Sequence, residues 1–164
     1  MAETAAPPRP AAPIDRAAAY DEDFVLWTRS QAALIRAGRF DLVDRENLAE
    51  EIESLGVSDR RKLCSRLEVL MVHLLKWQFQ PVHRSRSWRS TIRSQRGRIE
   101  RVLKASPSLR REVAELSREE YAVAREAASA ETGFARDTFP DSLPYSPEQI
   151  LDDTFFPGPL DETP

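Results

Sequence analysis

The sequence predicts an all-α protein, an up-and-down bundle of four to five helices around a buried central helix, with a short C-terminal helix and a wrapped tail. Three observations lead to this prediction. Ala, Leu, Glu and Arg, which favour helices, are abundant. The 164 residues include only five glycines. One segment carries apolar residues at helical spacing on nearly every side, as expected of a buried helix.

The central helix is predicted over Ser58–Gln80. Ser58 is a suitable N-cap, and Pro81 disfavours helix at the residue before it. Four leucines recur at alternating steps of four and three, which marks one helix face. They are Leu63, Leu67, Leu70 and Leu74. The segment is too charged and too often interrupted to span a membrane.

Two helices are predicted before the central one. The first begins near Asp21 and ends at Gly38, a residue type that favours the left-handed conformation after a helix. The second covers Arg45–Leu55, with Asp44 as its cap and Gly56 as its stop. Because only Val57 separates Gly56 from the central helix, these two helices are expected to form a tight antiparallel hairpin.

Three further helices are predicted after the central one. The fourth helix runs from about Ser87 to Lys104. The fifth runs from Pro107 to about Glu131, with Gly133 as its stop. Ser146, followed by Pro-Glu-Gln, is expected to cap a short final helix.

The domain organisation follows from composition. Residues 1–19 are rich in Ala and Pro and are expected to be a disordered leader. Residues 20–157 are predicted to form a single helical domain, and residues 158–164 a flexible tail. Cys64 is the only cysteine, so a reducing cytoplasm is the expected location. No secretory signal or membrane association is expected.

Charge is strongly segregated along the chain. Residues 41–56 carry six acidic and one basic side chain, residues 57–111 carry three acidic and fifteen basic, and residues 112–164 carry thirteen acidic and three basic. The net charge is only −3. This distribution indicates either a polyanion site or neighbouring helices that neutralise one another.

The basic residues around the fourth helix are candidate polyanion ligands. Arginine binds phosphate through a planar fork of donors, and a row of arginines beside an aromatic side chain suits nucleic acid. The alternative is that the fourth helix packs beside the acidic second or fifth helix and that these arginines pair with Glu115, Glu119 and neighbouring carboxylates. The candidate residues are Arg84, Arg86, Arg89, Arg93 and Arg96.

A metal site is the other chemical hypothesis. If the predicted hairpin folds about Val57, Glu46 and Glu50 approach the helix face that carries His73. Together these three residues form a candidate mononuclear site. The alternative is a ladder of ion pairs along the hairpin, with each exposed pair contributing under about 1 kcal/mol.

Three stretches of the chain form a pattern typical of a protein family: YDEDFVLWTRSQAALIRAG at residues 20–38, DRENLAEEIESLG at 44–56, and LEVLMVHLLKWQFQPVHRSRSWRSTIRSQR at 67–96. Together they resemble a known bacterial family, the domain-of-unknown-function family numbered twenty-nine. The resemblance covers roughly residues 20–155. It implies an all-helical soluble protein and brings neither an established activity nor agreed catalytic residues.

Three functions are therefore compatible with the sequence. The first is a protein-interaction module that binds another protein or a second copy of itself. The second is nucleic-acid binding through the basic fourth helix, and the third is a metal-dependent enzyme at the hairpin. No cofactor is predicted.

Overall fold

The computed structural model describes residues 20–158, in which every regular element is a helix and no strand is present. The prediction of an all-α helical bundle is confirmed. The α-helices of the described residues are α1 (Phe24–Arg36), α2 (Arg45–Phe79), α3 (Arg86–Ala105), α4 (Val113–Thr132) and α5 (Pro147–Leu151). The predicted leader at residues 1–19 and most of the predicted tail lie outside the described residues.

The chain divides into two compact units. The first reaches to Leu55, and the second begins at Gly56. The prediction of one domain over residues 20–157 stays a prediction.

Helix α2 is continuous over a segment in which two helices were predicted. The prediction of a hairpin about Val57 is therefore wrong. Gly56 and Ser58 both lie inside the helix, and Ser58 therefore is not an N-cap. A glycine inside a helix costs about 1 kcal/mol relative to alanine. Interrupting the helix there would instead leave several backbone N–H and C=O groups without partners on each side, and no proline forces an interruption.

In the first unit, polar side chains join α1 to the start of α2. The indole Nε1 of Trp27 donates to Asp44 Oδ2 over 3.3 Å, and the backbone N–H of Asp44 donates to Gln31 Oε1 over 2.9 Å. Asp44 also accepts a hydrogen bond from the backbone N–H of Asn47. Asp44 is therefore the N-cap of α2, as predicted. Gly38 ends α1 with a φ of +70°, as predicted.

The core of the second unit is built around the C-terminal part of α2. The predicted leucine row is fully buried, and apolar residues from α3, α4 and the C-terminal segment pack against it. Removing such a side chain from water stabilises the fold by about 1.5–3 kcal/mol. The partners of the leucine row include Ile92, Ile99, Leu103, Leu116, Ala124, Phe139 and Ile150.

The fifth predicted helix begins later than expected. Pro107–Arg111 forms a 3₁₀ turn, and α4 starts only at Val113. The hydroxyl of Ser106 does not cap this element; it donates to Asp59 Oδ2 over 2.9 Å. Gly133, with a φ of +73°, ends α4 as predicted.

Arg96 fixes the C-terminal segment to α3. Its side chain is 2 % exposed, and its guanidinium donates to three backbone carbonyl oxygens: Nε to Ile150 over 2.8 Å, Nη1 to Phe155 over 2.7 Å and Nη2 to Gln149 over 3.0 Å. Just before these residues, Ser146 forms the predicted capping box of α5. The C-terminal segment is therefore held by one buried side chain as well as by apolar packing.

Replacing Gly56 with alanine tests the continuous helix. Gly56 has no positive φ, and a Cβ added to it meets nothing within 4 Å. Gly56→Ala should therefore raise the free energy of unfolding by about 0.5–1 kcal/mol, measured by urea denaturation. Gly133→Ala, at a left-handed position, is the matched control and should lower it. A loss of stability in Gly56→Ala would contradict a helix through this residue.

Candidate nucleic-acid interface

A cleft opens in the second unit where α2 ends and α3 begins. Pro81 ends α2, Pro81–His83 forms a 3₁₀ turn, and Ser85 caps α3 by accepting from the backbone N–H of Trp88. The direction of the chain changes over these few residues, so the last turn of α2 lies beside the first turns of α3. The cleft between them has a volume of about 850 Å³.

Arginine and serine dominate the walls of this cleft, which we call the arginine cleft. No carboxylate lines it among the described residues. Its lining residues are Trp77, Arg84, Ser85, Arg86, Arg89, Ser90, Arg93 and Ser94. Four of the five predicted polyanion ligands thus lie in one place.

Arg84 is anchored at one end of its side chain and unpaired at the other. Its Nε donates to the backbone oxygen of Trp77 over 2.9 Å, and its Cζ lies 5.2 Å from the centre of a Trp77 ring. Its Nη2 is buried and has no hydrogen-bond partner among the described residues. A buried donor without a partner is costly, so the contacts of Arg84 with Trp77 must outweigh this cost to hold the side chain in the cleft wall.

Arg89 is positioned by two aromatic rings. Its Cζ lies 5.5 Å from the ring centres of both Trp77 and Phe156, and those two rings are 5.0 Å apart. Such cation–π contacts orient a guanidinium without using its N–H donors. The fork of Arg89 therefore remains available to an anion.

Among the described residues, the alternative of internal neutralisation finds no support at the arginines of the cleft. In the part of the chain that the structure describes, Arg84, Arg86, Arg89 and Arg93 form no ion pair. Carboxylates of α4 and the residue before it pair elsewhere: Glu112 and Glu119 with Arg60, and Glu131 with Lys76. No carboxylate within residues 20–158 therefore cancels the positive charge of the cleft by contact.

Arg96, the fifth predicted ligand, lies outside the cleft. Each of its three guanidinium nitrogens donates to a backbone oxygen of the C-terminal segment, so its role is in the fold. Burial lowers the pKa of Arg96 from its ordinary value. By holding the segment before Phe156, it supports the ring that orients Arg89.

The residues proposed for a metal do not form a described site. Glu46 and Glu50 belong to the first unit and His73 to the second, and the hairpin that was to bring them together is absent. Among residues 20–158, no group of three or more His, Cys, Asp and Glu side chains is suited to a metal ion. The metal site stays a prediction without its geometric basis.

His73 itself has a structural environment. Its Nδ1 lies 2.9 Å from the backbone oxygen of Val69, one turn earlier in α2. Burial lowers the pKa of its imidazole from the ordinary value, and the neighbouring charge of Lys76 acts in the same direction. The neutral form is therefore the one that the fold favours.

Sequence patterns missed several residues of the cleft. Ser90 and Ser94 had a usable signal, since their spacing of four places them on the same side of α3. Trp77 continues the helical spacing of the leucine row, which indicates the core and not a cleft, although its ring contacts the arginines. Phe156 comes from a distant part of the chain, and no local pattern indicates its position.

Comparison with known proteins identifies the family. Residues 19–156 match the model of the family described as Domain of unknown function DUF29. The chain belongs to the DUF29 family. This match confirms the resemblance found in three stretches of the sequence. No curated protein and no solved structure matches the chain.

The DUF29 description assigns no activity, so the function must be argued from the residues of this chain. Across residues 20–158, none of the helices combines the length and the hydropathy that crossing a bilayer requires.

Replacing Arg96 tests its role in holding the C-terminal segment. Arg96→Met should lower the free energy of unfolding by about 3 kcal/mol or more, because three backbone carbonyls lose a charged donor inside the fold. Arg98→Met, on the exposed side of the same helix, should change it by less than about 0.5 kcal/mol. Equal urea midpoints for the two variants would contradict this role.

The environment of His73 predicts a pH dependence of stability. Because the folded pKa is lower than the unfolded one, the unfolded chain binds more protons between the two values. The free energy of unfolding should therefore fall as the pH drops below about 6.5. Between about pH 7.5 and about pH 5.5, the free energy of unfolding measured by urea denaturation should fall less for His73→Gln than for the wild type. Parallel curves for the two proteins would show that His73 is not responsible.

Proposed function

We propose that this DUF29 protein binds nucleic acid, and that the arginine cleft holds the backbone phosphates. One observation carries the proposal: four arginines surround an open cleft, and no carboxylate of the described part of the chain pairs with them. Like charges placed together oppose folding unless something else is gained. A bound polyanion supplies the missing counter-charge.

The chemistry of the side chains favours phosphate among anions. Arginine presents several N–H donors in a fixed fork that matches phosphate oxygens. Ser85, Ser90 and Ser94 add hydroxyl groups beside the forks. Hydroxyl, amide and guanidinium donors are the usual partners of nucleic-acid phosphates.

The geometry favours binding of nucleic acid through its phosphates and not through contacts to its bases. Trp77 is only 7 % exposed, and Arg84 and Arg89 lie over its rings. Its faces are therefore not open platforms on which a base could stack. Contacts to phosphate alone carry no direct sequence information, so binding with little sequence preference follows.

The exposed apolar side chains of the first unit favour a second candidate function, a protein-interaction module. Phe24, Ile52 and Leu55 are 47 %, 60 % and 70 % exposed, respectively. Exposed apolar surface can mark a protein-binding site. We place this function second because the exposed side chains do not define the chemistry of a partner.

We also propose that the protein is cytoplasmic, because its single cysteine suits a reducing compartment.

The salt dependence of binding tests the proposed function. Fluorescence anisotropy with a labelled single-stranded oligonucleotide should give an affinity that falls steeply with salt, with a log–log slope of roughly −3 for four phosphate contacts. Arg89→Ala combined with Arg93→Ala should weaken binding by about tenfold or more and reduce the slope in magnitude by about 1.4.

Arg29→Ala combined with Arg36→Ala is the matched control, since it removes the same charge from exposed side chains of α1 that form no ion pair among the described residues. It should leave affinity nearly unchanged. Absence of binding to any oligonucleotide at low salt would refute the proposal. Equally strong binding of an acidic peptide would show that the cleft does not select phosphate.

A further inference from the structure

The basic surface does not stop at the arginine cleft but continues along the exposed side of α3. Arg98 and Arg101 are exposed and form no ion pair among the described residues. Arg101 donates only to the backbone oxygen of Gly97. We call the exposed side of α3 from Arg86 to Arg101 the basic face.

Small residues leave the backbone accessible along the basic face. The small residues Ser90, Ser94 and Gly97 follow one another at steps of four and three, and Arg101 comes four residues later. This spacing places all four on one side of the helix. A Cβ added to Gly97 would meet nothing within 4 Å, and Gly97 has no positive φ. Neither packing nor backbone conformation requires glycine here, although it costs about 1 kcal/mol in a helix. Glycine does permit a ligand to approach the backbone closely.

The length of the basic face indicates an extended ligand. Arg86 and Arg101 are fifteen residues apart on a continuous helix, which corresponds to about 23 Å along its axis. A mononucleotide would fill the cleft and leave the remaining arginines unused. A nucleic-acid strand presents phosphates at regular intervals and can follow the whole face, as in sites of roughly 4–16 nucleotides.

The shape of the cleft favours one strand over two. A cleft of about 850 Å³ is within the size range of small-molecule sites, so its floor admits a single chain. The DNA major groove is about 12 Å wide and accepts one helix. At the cleft, α3 is not a free helix, because Trp77 of α2 and Arg84 of the connecting turn line the cleft together with it.

We propose, on the basis of the function proposed above, that the ligand is a single strand of nucleic acid. Its phosphates bind Arg84, Arg86 and Arg89 in the cleft, and the strand then follows α3 past Gly97 to Arg101. Its bases point away from the helix, because the rings of Trp77 are covered by arginine. Single strands of different sequence therefore bind with similar affinity.

A length series with the full chain tests this inference. Anisotropy should show that a labelled oligothymidylate of about twelve nucleotides binds at least tenfold more tightly than one of about three, and more tightly than a hairpin duplex of the same length. An oligoadenylate of the longer length should bind within about threefold of the thymidylate.

Gly97→Gln locates the path of the strand. The longer side chain has space in the free protein but would stand in the path, so affinity for the long strand should fall about fivefold and affinity for the short one should not change. Gly56→Gln is the matched control, since it places the same side chain in the open at another helical glycine. It should bind as the wild type does, and circular dichroism should show both variants folded.

Two results would overturn the single-strand inference while leaving the proposed function intact. They are equal affinities for the short and long strands with no effect of Gly97→Gln, or tighter binding of the duplex. Failure of every oligonucleotide to bind would instead overturn the proposed function and this inference with it.

Discussion

Burial of one face of α2 between Leu63 and Trp77 is the constraint on which the second unit depends. The leucine row is fully enclosed, and each neighbouring element contributes apolar side chains to it. The last residue of this buried run is Trp77, which contacts the core with most of its surface and the arginines with its rings. The same packing that stabilises the unit therefore also sets the floor of the arginine cleft.

Arg96 connects this core to the cleft through the C-terminal segment. Its three hydrogen bonds hold Gln149, Ile150 and Phe155, and the next residue, Phe156, packs on Trp77 and under Arg89. Two arginines of α3 thus have different roles. Arg96 is buried and donates to the backbone, whereas Arg89 is exposed to solvent and rests on two aromatic rings. An arginine held in this way loses less conformational freedom when it binds a phosphate than a free surface side chain would.

The sequence predicted those features that local chemistry determines. Glycine at positions 38 and 133, and the caps at Asp44 and Ser146, act within a few residues and were placed correctly. The leucine row was also predicted, because periodicity is a local property. The prediction failed at Gly56-Val57-Ser58 for the opposite reason. A glycine that commonly ends a helix is followed there by a serine that commonly begins one. Whether the helix continues depends instead on the cost of the unpaired backbone groups at two new helix ends.

Arg96 shows what residue type alone cannot decide. It was grouped with the other arginines, yet it lies four residues after Ile92 and three before Ile99, which places it on the apolar side of α3. That spacing was visible in the sequence. Its partners were not, since the three carbonyls lie more than fifty residues away. The position of Phe156 depends on the same long-range contacts, so the aromatic support of the cleft could not be predicted.

The overall negative charge of the chain does not oppose a nucleic-acid site. Charges separated by more than about 8 Å are largely screened at physiological ionic strength, so a phosphate in the cleft responds mainly to the groups within that range. Many acidic side chains of the second unit are already engaged: Glu112 and Glu119 with Arg60, Glu131 with Lys76, and Glu100 with Arg110. The arginines of the cleft have no such partner among the described residues. Local pairing, and not net charge, decides where a polyanion can bind this protein.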